Sequence, residues 1–172
     1  MVVSTIGHST RSVEEFIAIL KAHGIEQLID IRTIPRSRRN PQFNRDALPE
    51  TLAASGISYG HLPGLGGLRK PRPDSVNTAW RNDSFRGYAD YMQTPEFDAA
   101  LNHLIELANT TPTAIMCAEA VEWRCHRSLV ADALSVRGIE VRHIHGAGAA
   151  KPHRTTPFAQ IDGTRIVYRE AV

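Results

Sequence analysis

Short apolar segments alternate with helical segments at both ends of this chain, and this alternation constrains its fold more than any other feature. Residues 2–7 (VVSTIG) predict a buried strand, residues 12–24 predict a helix that begins at Ser12 and ends at Gly24, and residues 27–31 (QLIDI) predict a second strand. The last third repeats the order with TAIMCAE, CHRSLVADALSVRG and EVRHIHG. Strands joined by a crossover helix are usually parallel. The sequence therefore predicts an α/β fold with a mostly parallel sheet flanked by helices, in three layers.

The middle of the chain and its tail are less regular. ISYGHLP predicts a third strand, residues 46–55 predict a short helix, and FRGYADYMQ and TPEFDAALNHLIELANT predict two more. Residues 63–78 hold much of the glycine and proline and predict a surface loop. The tail PFAQIDGTRIVYREAV predicts a hairpin that turns at Asp162-Gly163. Because we find no internal repeat and no linker, we expect residues 1–172 to form a single α/β domain.

Composition and targeting signals indicate where such a protein works. Its 42% hydrophobic and 22% charged residues are ordinary for a globular protein. Two cysteines make no disulfide framework, the first residues lack the pattern of a secretory signal, and no apolar run approaches the ~20 residues that cross a bilayer. We therefore expect a cytoplasmic protein with no membrane contact and with reduced thiols. The sequence does not indicate its oligomeric state.

A basic stretch follows the second predicted strand and indicates an anionic partner. It contains no acidic residue, and its arginines are Arg32, Arg36, Arg38, Arg39 and Arg45. Guanidinium groups suit phosphates, the neighbouring amides suit base edges, and Phe43 is suited to stacking on a base. Further along, Trp80 and Arg81 precede a predicted helix and repeat this combination. We expect a nucleotide or nucleic acid as the partner, with a solvated basic loop as the alternative.

Polar side chains follow the apolar strands, at the edge of the sheet where open parallel sheets bind ligands. They are Gly7-His8-Ser9, Asp30-x-Arg32, Cys117-x-Glu119 and His143-x-His145. Alternation along a strand places the two members of each spaced pair on a common side. Charged groups at the ends of buried strands are costly unless they are paired or belong to a site. We therefore expect them to converge.

Three of these residues suit defined roles. His8 suits a general acid or base, Asp30 a hydrogen-bond acceptor for a sugar hydroxyl or a base, and Arg32 a phosphate clamp. Each role has a structural alternative: a loop histidine that bonds the backbone, and an ion pair between Asp30 and Arg32 at the strand end.

The segment CAEAVEWRCHRS joins a predicted strand to a helix N-terminus and allows three interpretations. In the first, Glu119 is a catalytic carboxylate, while Arg127 and the helix end hold phosphate. In the second, Cys117 or Cys125 is a thiolate stabilised by the helix end and by Arg124 and Arg127. In the third, zinc is bound by three of these side chains and a fourth ligand, namely Cys117, Cys125 and His126 with His143 or His145.

Spacing decides between some of these interpretations. The C-x7-C-H spacing is unusual for zinc, so we expect no cofactor and no metal. A phosphatase loop places five residues between its cysteine and its arginine, whereas six separate Cys117 from Arg124. A structural alternative also remains, with Cys117 buried and Glu119 paired to an arginine. Glu119 is the preferred catalytic candidate.

Several motifs together resemble those of the domain-of-unknown-function family numbered 488. The motifs are TIGHST, DIRTIPRSRRNPQFN, WRNDSFRGYADYMQTPEF, MCAEAVEWRCHRSLVADAL and VRHI, spread over nearly the whole chain. The resemblance implies a compact bacterial or archaeal α/β domain and no established activity. The signature positions it implies here are Gly7, His8, Ser9, Asp30, Arg32, Pro35, Arg36, Cys117, Glu119, Cys125, His126 and Arg127.

These observations predict an enzyme, a hydrolase or transferase, that acts on a nucleotide or on a base in nucleic acid, with cleavage or transfer at a glycosidic bond as the expected reaction. The expected catalytic residues are Glu119, His8 and Asp30. The expected substrate-binding residues are Ser9, Arg32, Arg36, Arg38, Arg39, Trp80, Arg81, Cys117, Cys125, His126 and Arg127. The alternatives are a nucleic-acid-binding module without catalysis, and thiol redox or metal-dependent chemistry at the two cysteines.

Overall fold

A six-stranded sheet forms the centre of the computed structural model, which describes residues 1–170. The strands, in chain order, are β1 (Val2–Gly7), β2 (Gln27–Asp30), β3 (Ser58–His61), β4 (Thr113–Cys117), β5 (Glu140–Ile144) and β6 (Lys151–Pro152). Their order across the sheet is β3-β2-β4-β1-β5-β6, with all neighbours parallel except β6, which is antiparallel to β5. The predicted α/β class and mostly parallel sheet are confirmed.

The helices begin and end close to where the sequence predicts them. They are α1 (Val13–Ala22), α2 (Leu48–Ala53), α3 (Asp83–Tyr91), α4 (Pro95–Thr110) and α5 (Arg127–Ser135). The Ser12 side chain accepts a hydrogen bond from the Glu15 amide at 3.1 Å, which satisfies a free N–H group at the start of α1. Gly24 follows the end of α1 with a φ of 68°, a conformation that favours glycine.

Two apolar layers cover the opposite faces of the sheet. On one face, Leu28 and Met116 of the sheet pack in one cluster with Phe16 of α1. On the other face, Ile115 packs in a second cluster with Leu104 of α4. Each such side chain contributes about 1.5–3 kcal/mol when it is fully buried. The predicted three-layer arrangement is therefore confirmed.

The tail forms a separate hairpin of β7 (Ala159–Asp162) and β8 (Arg165–Tyr168). The predicted hairpin is confirmed, although Gly163, with a φ of 61°, begins the turn one residue later than predicted. Tyr168 is buried and its amide donates to the side-chain oxygen of Asn77 at 3.0 Å, which joins the hairpin to the loop before α3. Within residues 1–170, no helix combines the length and apolar character that crossing a membrane requires.

The strand order brings three predicted site segments side by side. β4 lies between β2 and β1, and Gly7 is paired with Cys117 while Asp30 is paired with Met116. The carboxyl ends of these three parallel strands therefore meet at one edge of the sheet, where ligands bind in open α/β folds.

Candidate functional site

Two cysteines lie in contact at this edge of the sheet. Cys117 ends β4, and residues 118–126 then return so that Cys125 lies beside it just before α5. The two Sγ atoms are 2.6 Å apart, and both side chains are buried. A disulfide bond measures about 2.05 Å. The two sulfurs are thus separate, but a small side-chain movement would allow them to bond.

The surroundings of the two thiols differ. Burial raises the pKa of the Cys117 thiol well above its usual value. Burial alone would also raise the pKa of Cys125, but hydrogen bonds from Cys117 and His126 and the charges of His126 and Arg127 together lower it well below its usual value. These opposite directions favour Cys125 as the thiolate and Cys117 as the thiol that donates a hydrogen bond to it.

His126 is held in an orientation that suits a base. Its Nε2 atom lies 3.2 Å from the carbonyl oxygen of Ile31, and because a carbonyl only accepts, Nε2 carries the proton. The Nδ1 atom then faces the Cys125 sulfur at 3.5 Å. A nucleophile, a base and a group that orients the base are the parts of an activated nucleophile.

Arg127 places a buried positive charge beside the thiolate. Its side chain is 1% exposed, its Nη2 atom donates to the Glu119 carbonyl at 3.0 Å, and its Nε atom has no hydrogen-bond partner. Within residues 1–170, no carboxylate forms an ion pair with this guanidinium. Buried charges need compensation. The Cys125 thiolate, whose sulfur accepts the Arg127 backbone amide at 3.4 Å, supplies the negative charge.

A cleft of about 480 Å³ opens above the thiolate. Its lining includes Arg32, Arg36, Phe85, Tyr88, Glu119, Arg124, Cys125 and His126. Arg36 and Arg124 are exposed cations, and Ile34 and Leu68 are apolar side chains that are 60% and 78% exposed at the same cleft. This surface suits a ligand that carries a negative charge and a flat or apolar part.

Asp30 and Arg32 form a buried ion pair rather than an open binding group. The Asp30 carboxylate accepts from Arg32 Nε at 2.9 Å, from Arg32 Nη2 at 2.7 Å and from the Tyr59 hydroxyl at 2.6 Å. Burial and the hydrogen bond to Asp30 raise the pKa of Tyr59. Because these contacts occupy both carboxylate oxygens, the predicted contact of Asp30 with a substrate hydroxyl has no free acceptor, and the ion-pair alternative describes the geometry.

His8 is buried and does not line the cleft. Its side chain is 1% exposed and stacks on Phe43, with ring centroids 4.5 Å apart, while Nδ1 donates to the Ser9 carbonyl at 2.8 Å. Burial lowers the pKa of His8, which disfavours the charged ring. The predicted base stacking of Phe43 is wrong, because its apolar ring is fully buried within the protein. Ser9 has a φ of 52°, an uncommon backbone conformation for a residue other than glycine.

The other predicted contact residues are spread over the surface. Arg38 and Arg39 are exposed on the loop after β2, outside the lining of the cleft. Arg81 is 90% exposed and lies 3.9 Å from Glu170. Trp80 stacks on Phe85 with centroids 4.8 Å apart and lines a separate cavity of about 390 Å³. Among these four, none joins the cleft, although the Phe85 ring beneath Trp80 does.

The two histidines at the end of the β5 segment, His143 within the strand and His145 after it, have different partners. Thr5 donates to His143 Nδ1 at 2.7 Å, His143 Nε2 lies 2.8 Å from His153, and His153 lies 2.7 Å from Asp132. His145 instead lies 2.6 Å from Glu122. β5 ends at Ile144, so His145 follows the strand, and the two rings bind different partners.

The fourth zinc ligand predicted from these histidines does not reach the cysteines. Within residues 1–170, no group of three or more histidine, cysteine and carboxylate side chains is arranged to hold a metal ion.

Sequence reasoning missed two residues that bind buried polar groups, Asp132 and Tyr59. Asp132 carried a signal, since a carboxylate inside the apolar run LVADAL must be buried and paired.

Comparison with known proteins gives one match. A family model described as Domain of unknown function DUF488 matches residues 12–134. This range includes β2, the whole of β4 and both cysteines, and it leaves out His8 and His143. Searches of curated proteins and of solved structures find no match.

Proposed function

The chain belongs to the DUF488 family, whose description assigns no activity, and we propose that it is an enzyme that uses Cys125 as a nucleophile on an anionic, nucleotide-like substrate. Among the three sequence interpretations of the segment between β4 and α5, the thiolate has the most support. The observation that carries the proposal is the Cys125 sulfur, which contacts the Cys117 thiol, the His126 ring and the Arg127 amide at the floor of an arginine-lined cleft.

The substrate class follows from the walls of the cleft. Arg36 and Arg124 bring exposed guanidinium groups, which bind phosphate through two parallel hydrogen bonds. Phe85 offers an aromatic face, and exposed Ile34 and Leu68 extend the apolar surface at the same cleft. A phosphate group joined to a planar base matches both parts of this surface.

The reaction is group transfer through a covalent intermediate. In the resting site the proton of the Cys125 thiol is held by Nδ1 of His126. The Cys125 thiolate attacks the electrophilic centre, and the leaving group departs with that proton. Water or a second substrate then releases the bound group and restores the thiolate. The Arg127 guanidinium stabilises the negative charge of the resting thiolate without entering the cleft.

Alkylation of the thiol tests the proposal without knowledge of the true substrate. Iodoacetamide at neutral pH should modify Cys125 much faster than an ordinary thiol with a pKa near 8.5, and 5′-nucleoside monophosphates should slow that reaction. The matching uncharged nucleosides should protect less. Arg36→Gln and Arg124→Gln should weaken protection by the nucleotides, whereas Arg38→Gln, outside the lining of the cleft, is the control. Slow alkylation of Cys125, or equal protection in all three variants, contradicts the proposal.

Glycosidic chemistry at Glu119 is the second candidate in the same cleft. Its carboxylate is exposed at the cleft and has no ion-pair partner within residues 1–170, so it is free to reach a ligand. A nucleophile nevertheless needs neighbouring groups that fix its position. The Cys125 sulfur has three such contacts, with Cys117, His126 and the Arg127 amide, whereas the Glu119 carboxylate forms no ion pair within residues 1–170. Incubation with nucleotides followed by detection of free base separates the two. Loss of base release in Glu119→Gln with retention in Cys125→Ser favours Glu119, and the reverse favours Cys125.

A non-catalytic nucleic-acid-binding module is the third candidate, supported by the exposed side chains of Arg36, Arg38 and Arg39. It predicts that affinity for short DNA or RNA falls steeply with salt, with losses spread over the three arginines. The enzyme proposal instead predicts that ligand binding weakens strongly when Arg36, which lines the cleft, is replaced. Replacement of Arg38 or Arg39 should have little effect on binding.

A further inference from the structure

We propose that the Cys117–Cys125 pair also reduces small hydroperoxides, with Cys125 as the attacking thiolate and Cys117 as the thiol that closes the disulfide. The inference rests on the proposed function in one respect: it uses the same thiolate. It adds a second activity, a second substrate class and a covalent role for Cys117.

The geometry of the two sulfurs carries this inference. The Sγ atoms are 2.6 Å apart although Cys117 and Cys125 belong to different segments, the end of β4 and the approach to α5. A nucleophile that acts alone gains only a hydrogen bond from a second thiol in contact with it. A thiolate that is oxidised gains a partner that bonds to it before further oxygen is added.

Access to the thiolate selects the oxidant. Cys125 is 7% exposed and Cys117 is 3% exposed, so the sulfur is reached only through the floor of the cleft. A protein disulfide must bring its own sulfur into line with the attacking sulfur, which this burial obstructs. A hydroperoxide presents an oxygen atom that is small enough to enter.

Neighbouring groups suit the breaking of an O–O bond. Negative charge develops on the departing oxygen, and charged donors nearby stabilise it. His126 is within 3.5 Å of the sulfur and supplies a proton, and Arg124 lines the same cleft. The departing oxygen can therefore take a proton from His126, and the charge of Arg124 stabilises it at the cleft.

The chemical steps balance as follows. The Cys125 thiolate attacks the hydroperoxide ROOH, forms an S–O bond, and releases RO⁻, which takes a proton from His126 and leaves as ROH. The Cys117 thiol then attacks the Cys125 sulfenic acid, forms the S–S bond and releases water. The hydroperoxide gains two electrons and the dithiol loses two. A small dithiol reductant restores the protein for another cycle.

Mass spectrometry of the wild-type protein tests the inference without any substitution. One equivalent of hydrogen peroxide should remove two hydrogen atoms from the intact mass, and a peptide map should join Cys117 to Cys125. Dithiothreitol should reverse both changes. Oxidation that adds oxygen to Cys125 without a disulfide, or no oxidation at all, overturns the inference.

Two variants then assign the order of events. Cys117→Ser should stop at the sulfenic acid of Cys125, which a 1,3-diketone traps, and Cys125→Ser should oxidise at least about ten-fold more slowly because the remaining thiol is protonated. Circular dichroism checks that each variant is folded, and Arg81→Gln, on the exposed surface, is the control. Equal oxidation rates in the two cysteine variants contradict the assignment.

The result is independent of the group-transfer test. Disulfide formation in a protein whose Cys125 is not protected by nucleotides would leave hydroperoxide reduction standing and remove the nucleotide-directed function. Nucleotide protection without disulfide formation would support the nucleotide-directed function and overturn hydroperoxide reduction.

Discussion

The Nδ1 atom of His126 faces the Cys125 sulfur at 3.5 Å because the other ring nitrogen donates to the Ile31 carbonyl. The residue after β2 thus orients a side chain that lies just before α5. The thiol and its base are neighbours in sequence, but their relative orientation depends on a contact between distant segments.

Replacement of His126 tests this relationship. His126→Asn removes the imidazole that stabilises the thiolate, so the pKa of Cys125 should rise and alkylation at pH 7 should slow by about ten-fold. At a pH high enough to ionise both variants, the rates should converge. The pH dependence of iodoacetamide alkylation provides the measurement, with His103→Asn on the exposed side of α4 as the control. An unchanged pH profile would remove His126 from the site.

Arg127 should govern the charge of the thiol without governing the fold. Arg127→Met removes the buried cation, so the pKa of Cys125 should rise, and the neutral thiol then needs no counterion. Arg127→Lys keeps the charge and should keep most of the thiolate. Ultraviolet absorbance of the thiolate during a pH titration distinguishes the two variants. Equal thiolate content in both at pH 7 would show that the guanidinium charge has no influence.

The buried ion pair between Asp30 and Arg32 should be worth far more to stability than any exposed pair. Asp30→Asn leaves the guanidinium uncompensated and should lower the free energy of unfolding by about 3–5 kcal/mol. Tyr59→Phe removes one hydrogen bond to the same carboxylate and should cost about 1 kcal/mol. Urea unfolding at neutral pH measures both losses. If Asp30→Asn lowers the free energy of unfolding by less than Tyr59→Phe does, the Arg32 guanidinium is solvated in the variant and the prediction is wrong.

Acidification should destabilise the protein through His143. Burial lowers the pKa of His143 to about 4, with the charges of His153 and Arg127 adding to it and Glu122 opposing. The unfolded chain binds a proton below about pH 6.5, and the folded chain does so only near pH 4. Stability is therefore full above pH 6.5 and falls by roughly 2–3 kcal/mol as the pH drops toward 4.

Urea unfolding at several pH values measures this loss. His143→Gln should flatten the slope between pH 6.5 and 4, whatever its effect on stability at pH 7. His103→Gln, an exposed histidine on α4, should leave the slope as it is. A wild-type slope of zero across this range would show that His143 is already charged in the folded protein.

The sequence predicts the fold well because local patterns determine it. Ser12 and Gly24 delimit α1 through the backbone groups that they satisfy or accommodate, and short apolar runs between such helices have few uses other than buried parallel strands. The rule that ligands bind at the carboxyl ends of these strands also located the edge where Asp30 and Cys117 meet.

Side-chain partners are harder to predict, since they depend on loops without a periodic pattern. Phe43 looked available to a ligand, but the loop after β2 folds its ring onto His8. Glu119 stays a candidate, but β4 ends at Cys117, so the strand does not fix the position of this exposed carboxylate at the cleft. The contact between Cys117 and Cys125 depends on the path of the eight-residue step between them, which their spacing alone does not determine.

The close approach of Gly7 to the segment after β4 restricts this architecture further. Gly7 is paired with Cys117 across the sheet, and a Cβ atom at residue 7 would overlap the Glu119 carbonyl oxygen. That carbonyl also accepts from Arg127. The segment from residue 118 to residue 126, which leads to Cys125, therefore packs directly against the β1 backbone at Gly7. To graft Cys117 and Cys125 onto another parallel sheet, a designer must therefore also supply a glycine on the neighbouring strand at the position of Gly7. Any larger residue there would clash with the segment that joins the two cysteines.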